Sequence, residues 1–144
     1  RVNFVSFTGS VKAGYEVQKA THTKFIDMAL ELGGKDPAYA RYDCDLEKTV
    51  ENLVDGSFFN SGQSCCGIER IYVDEKIYDK FLESFISKTY NYNFGNPLKK
   101  ETNLGPVVKL SAAEFIINQM NAAIDKGVNF IDTAPSYGWG VPKA

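Results

Sequence analysis

The chain has 144 residues, 44% hydrophobic and 24% charged, a composition that suits a soluble α/β protein with a sizeable core. A net charge of −2 argues against a nucleic-acid surface or a polybasic membrane anchor, and no apolar run approaches the roughly 18 residues of a membrane span. Three cysteines (Cys44, Cys65 and the adjacent Cys66) make a poor disulfide framework, and His22 is the only histidine to join them at a zinc site, so a reducing, intracellular and cytoplasmic setting is expected.

The chain opens Arg1-Val2-Asn3-Phe4 without a methionine, which reads as a start inside a longer protein, where an upstream targeting signal could lie. Val2 to Phe7 is an apolar, β-branched run and predicts a buried strand. Thr8-Gly9-Ser10 breaks it, and Val11 to Lys19 predicts a helix. Lys24 to Leu32 is a second strand, closed by Gly33-Gly34, and the stretch from Ala38 to Arg41 after Pro37 is extended or irregular. Asp45 is a candidate N-cap, with Leu46, Val50, Leu53 and Val54 on one helical stripe behind it. Ile68 to Val73 predicts a strand, and Ile77, Tyr78, Phe81, Leu82, Phe85 and Ile86 an amphipathic helix. Gly95-Asn96-Pro97 and Gly105-Pro106 punctuate a loop region. Ser111 with Glu114 spells a capping box for a helix through Phe115, Met120 and Ile124, which Gly127 ends. Val128 to Ile131 is a last strand candidate. Strands alternate with helices, so the class is α/β with a largely parallel sheet.

Three separated features carry candidate chemistry. Phe7-Thr8-Gly9-Ser10, with Gly14 behind it, places a flexible turn and a helix start where a phosphate could approach, although a purely structural turn is at least as good a reading. Leu30-Glu31-Leu32-Gly33-Gly34-Lys35 sets a carboxylate in an apolar strand. Buried, it would suit general-base work; at the surface, it would simply pair with Lys35. Asn60-Ser61-Gly62-Gln63-Ser64-Cys65 places a cysteine just after a polar turn, exposed to a ligand, and a thiolate there is a strong nucleophile. The bland alternative makes the cysteines small buried apolar residues.

Together these stretches resemble the aldehyde dehydrogenase superfamily. Its Phe-Thr-Gly-Ser turn with a glycine four residues on matches Ser10 and Gly14. Its Glu-Leu-Gly-Gly-Lys motif matches Glu31 to Lys35, and its Phe-x-Asn-x-Gly-Gln-x-Cys motif matches Phe58, Asn60, Gly62, Gln63 and Cys65. The resemblance covers about residues 1 to 127. It implies a fragment of the three-layer αβα aldehyde dehydrogenase fold, with residues 1–32 ending a cofactor-binding domain and residues 33–127 forming part of a catalytic domain. It implies Cys65 as nucleophile and Glu31 as general base. Gly9, Ser10 and Gly14 would meet the pyrophosphate of NAD or NADP, with Leu32 and Gly33 lining the same region. A small-molecule aldehyde would be oxidised to a carboxylic acid through a cysteine thioester, in a parent protein expected to be a homo-oligomer. An oxyanion-hole asparagine and a ribose-binding segment are expected outside these residues. Activity is therefore expected of the parent rather than of this chain alone, which is expected to be marginally folded. Cys66 is expected to be packed or a bystander.

The tail reads differently. Gly127-Val128-Asn129-Phe130-Ile131-Asp132-Thr133-Ala134-Pro135-Ser136-Tyr137-Gly138 resembles an early strand–loop of aldo-keto reductases, whose catalytic Asp and Tyr share the spacing of Asp132 and Tyr137. Residues 128–144 are thus expected to be a tail of reductase origin, or else a divergent dehydrogenase strand and turn. Competing with the dehydrogenase reading are a reductase fragment reducing carbonyls with NADPH, and a fused or truncated chain without catalysis.

Overall fold

A computed structural model describes residues 2–127. The first unit is a strand–helix–strand. β1 (Phe4–Thr8) leads through Ser10 into α1 (Val11–Thr21), and β2 (Asp27–Glu31) returns to pair with β1 in parallel. Their register runs from Phe4 opposite Asp27 to Thr8 opposite Glu31, so both strands finish at the same end.

Residues 32–35 connect this pair to a second parallel pair, β3 (Asp36–Ala40) with β4 (Ile68–Val73). β3 is a true strand, the extended alternative for the stretch after Pro37, and it begins earlier, at Asp36. The ladder accommodates the proline, which has no N–H to give, through a register shift between Asp36 and Pro37, and among the described residues β3 pairs on one side only.

Between β3 and β4 runs α2 (Leu46–Phe58), capped by the Asp45 carboxylate, which accepts from the Lys48 N–H at 3.2 Å. After β4, a 3-10 turn (Glu75–Ile77) opens α3 (Tyr78–Thr89). The stripe foreseen on α2 does face inward. Val50 and Val54 are buried and form the core with Ala40 of β3 and Phe81 of α3. Phe58, Phe85 and Tyr92 extend it through ring contacts, Phe58 to Tyr92 at 5.6 Å and Phe81 to Phe85 at 5.7 Å between centroids.

A loop follows in which Phe94 and Leu104 pair as an isolated parallel bridge, and α4 (Leu110–Asp125) closes the described residues. Its N-cap is Lys109, whose carbonyl takes the N–H of Ala112 and Ala113. Ser111 is therefore inside the helix and caps nothing, because the backbone starts the helix before the capping-box sequence. Gly127, at φ 91°, follows its last turn as expected. The strand foreseen over Val128 to Ile131, and the whole 128–144 tail, lie outside the described residues. Two parallel pairs joined by helices make this an α/β fold. No helix among the described residues is long and apolar enough to cross a membrane.

Candidate active site

The carboxyl ends of β1 and β2 form the first half of the site. The Gly9 N–H donates to the Glu31 carbonyl at 3.0 Å, tying the turn after β1 to the last residue of β2. Ser10 caps α1, its Oγ accepting from the Ala13 N–H at 3.2 Å. One turn into α1, the buried Gly14 lies against Leu32: a Cβ there would stand 2.9 Å from a Leu32 methyl carbon. Gly9, Ser10, Gly14 and Leu32, singled out separately in the sequence, are thereby brought together. A helix N-terminus at the carboxyl end of a parallel strand pair can receive an anion through its free N–H groups and dipole. Gly33 follows in the open, with no atom within 4 Å of where its Cβ would be.

Glu31 ends β2 and is exposed. Of the two readings of this carboxylate, buried or at the surface, the described residues place it at the surface, because among them β2 pairs only with β1 and leaves the strand end open. The alternative partner is also taken elsewhere: the Lys35 ammonium pairs with the Glu69 carboxylate of β4.

The second half begins where α2 stops. Asn60 (φ 50°, ψ 36°), Ser61 (φ 58°, ψ 36°) and Gly62 (φ 73°) are left-handed in succession. Side chains tie this turn to itself. The Asn60 carboxamide donates to the Gln63 carbonyl at 3.1 Å, and the Gln63 carboxamide donates to the Asn60 carbonyl at 2.9 Å. Two further bonds reach a remote segment: the Ser61 hydroxyl donates to the Gly105 carbonyl, and the Val108 N–H donates to Gln63 Oε1 at 2.9 Å. Sequence reasoning matched Asn60, Gly62 and Gln63 to a pattern but assigned them no contacts. Asn-x-Gly hints at left-handed backbone, but nothing local announces a partner in Gly105–Val108.

Cys65 emerges exposed from this turn. Its carbonyl oxygen presses on the connector from Glu31: a Cβ on Gly34 would lie only 2.2 Å from it. The Glu31 and Cys65 stretches, 34 positions apart in sequence, therefore meet backbone to backbone. Cys66 is also exposed, its sulfur 3.3 Å from Ser64 Oγ, so of the two expectations for it, packed or bystander, the packed one falls. Cys44 is half-buried. Among the described residues no three His, Cys, Asp or Glu side chains gather as metal ligands.

An exposed thiol on a braced turn, a carboxylate at the strand end that leads into the connector touching that turn, and an anion-ready helix start suit nucleophilic attack, water activation and dinucleotide binding respectively. The aldehyde dehydrogenase family matches residues 1–135. A lactaldehyde dehydrogenase of Methanocaldococcus jannaschii is 44% identical over 127 residues, 88% of this chain and 27% of that protein. The crystal structure of lactaldehyde dehydrogenase from Escherichia coli superposes with a TM-score of 0.82 at 37% identity, covering 88% of this chain and 27% of that one. Betaine aldehyde dehydrogenase from Staphylococcus aureus, solved in complex with NAD+, gives 0.81 at 34% identity, covering 88% and 25%. The chain thus spans about a quarter of the length of these relatives.

Proposed function

This chain belongs to the aldehyde dehydrogenase family, and we propose that it carries the nucleophile, Cys65, and the general base, Glu31, of a parent enzyme that oxidises an aldehyde to a carboxylic acid with NAD or NADP. The observation that carries this reading is the contact of Gly34 with the Cys65 carbonyl, which joins the connector from Glu31 to the cysteine turn. The Cys65 thiolate attacks the aldehyde carbon, and the alkoxide that forms needs donors. The Cys65 N–H, which no backbone carbonyl among the described residues takes up, supplies one. A bound nicotinamide supplies the hydride acceptor. Glu31 then takes a proton from the water that hydrolyses the Cys65 thioester.

The cofactor reading stands on the turn around α1. Ser10 Oγ accepts from Ala13 and still has its O–H to donate to a phosphate oxygen. Gly9 shapes the turn, the Gly14–Leu32 contact sets how closely α1 lies on the connector, and Leu32 and Gly33 lead from it toward Glu31. We assign residues 1–32 to the end of a cofactor-binding domain and 33–127 to part of a catalytic domain, because one strand pair closes and another opens across this connector. Three free cysteines fit a reducing intracellular compartment, and we read the parent as a homo-oligomer.

For residues 128–144, the spacing of Asp132 and Tyr137 supports a reductase-derived tail, while a family match that runs to residue 135 supports a dehydrogenase strand. Sequencing the transcript across residue 127 separates these. The central test is Cys65→Ala in the parent enzyme. Turnover is expected to vanish, and retained aldehyde oxidation would overturn the assignment.

A further inference from the structure

Left-handed backbone is sterically disfavoured for L-residues, and Asn60 and Ser61 adopt it in succession in the turn that leads, through Gly62, Gln63 and Ser64, to the candidate nucleophile. Such a turn persists only where its surroundings hold it. One side chain makes two of the four side-chain bonds that hold it. Gln63 Nε2 donates to the Asn60 carbonyl at 2.9 Å, inside the turn, while Gln63 Oε1 accepts from the Val108 N–H at 2.9 Å, 45 residues downstream. A carbonyl can be met only by the NH2 and an N–H only by the oxygen, so the two bonds fix the carboxamide in one orientation. Ser61, bonded to Gly105, is the second tie to the same segment. Gln63 is itself exposed, so trimming it opens no cavity in the core.

We propose that Gln63 is a positioning residue: its carboxamide clamps the left-handed turn to Val108 and so fixes the backbone from which Cys65 presents its thiol. This rests on Cys65 being the nucleophile. Nucleophilic rates depend on sub-ångström placement, and a displacement of about 1 Å can cost on the order of 100-fold. Losing the clamp therefore shows in rate before it shows in folding.

The experiment uses the dehydrogenase that contains this chain, with Cys65→Ala, Gln63→Ala and Gln63→Glu variants. Gln63→Ala is expected to lower kcat by about 10- to 100-fold, to leave KM within about threefold, and to slow alkylation of Cys65 by iodoacetamide. Gln63→Glu keeps an acceptor for Val108 but sets a carboxylate against the Asn60 carbonyl. When protonated, it can donate there again. The ratio of its kcat to wild type is therefore expected to fall as pH rises from about 3.5 to about 5.5, the range through which an exposed glutamate carboxyl ionises. A merely structural role gives a ratio that does not change with pH, so the Gln63→Glu profile decides even if Gln63→Ala folds poorly. A flat ratio, or a Gln63→Ala enzyme with unaltered kcat and alkylation, overturns the proposal while an inactive Cys65→Ala leaves the nucleophile assignment standing. Full turnover by Cys65→Ala removes both.

Discussion

Gly34 has no room for a side chain on its cysteine side. A Cβ there would stand 2.2 Å from the Cys65 carbonyl oxygen, a backbone atom that cannot swing aside, whereas at the adjacent Gly33 it would meet nothing within 4 Å. Gly34→Ala must therefore push the connector and the cysteine turn apart. The parent enzyme carrying it is expected to lose at least about tenfold in kcat and to melt at a lower temperature, while Gly33→Ala leaves the melting temperature unchanged. Equal melting curves for the two variants would contradict the close contact. Glu31 offers a second test at this scale. If it activates the hydrolytic water, Glu31→Gln still forms the thioester on Cys65 but cannot clear it. Steady-state turnover should fall by roughly 100-fold or more, and mass spectrometry of the quenched enzyme should find acyl groups on Cys65. A mutant that turns over slowly with unmodified Cys65 would place the role of Glu31 before acylation.

The α2–α3 pair carries the described core, and Phe81 is its largest buried side chain, 5% exposed and stacked on Phe85. In the parent enzyme, Phe81→Ala should lower stability by about 3–5 kcal/mol, read as a fall in the urea midpoint, with Asp45→Ala at the α2 cap costing about 1 kcal/mol. A Phe81 variant no weaker than the cap variant would mean that the helix pair is not packed as described. These elements were legible because their signals are local. The 3.6-residue stripe of Val50 and Val54, the Asp45 cap and the apolar run of β4 each declare themselves within a dozen residues. What the sequence obscured depends on distant partners. β3 reads only as extended or irregular because Pro37 is judged by its missing N–H, yet β4 lends it a ladder. Ser111 spelled a cap, yet the Lys109 carbonyl started the helix first. In the site, Cys65 and Glu31 were readable as motifs, but the ties of Gln63 to Val108 and of Ser61 to Gly105 span more than forty residues, beyond any local pattern.

At the scale of the whole molecule, apolar surface outruns the core. Among the described residues the buried apolar side chains are Ala40, Val50, Val54, Phe81 and Leu104, while Phe25, Leu98, Val108 and Leu110 stand almost wholly in solvent. α4 is the clearest case. It buries no residue, yet it carries Phe115, Ile116, Ile117 and Ile124, all exposed, on a helix whose own capping is weak. Apolar patches of this kind mark surfaces that another layer of protein covers, and among the described residues β1–β2 and β3–β4, each a two-stranded sheet, present unpaired edges as well. A chain spanning about a quarter of its relatives is in keeping with such surfaces being interior in them. Two-stranded sheets are marginal by themselves, so the 144-residue chain expressed alone should bind a hydrophobic dye such as ANS, elute as concentration-dependent assemblies, and melt without a sharp transition. It should also fail to hold NAD tightly, since the free N–H groups at the start of α1 can meet no more than one anionic corner of a dinucleotide. A monomer with a cooperative melt and tight NAD binding would show that these faces close on one another, and that the catalytic unit is smaller than the lengths of its relatives suggest.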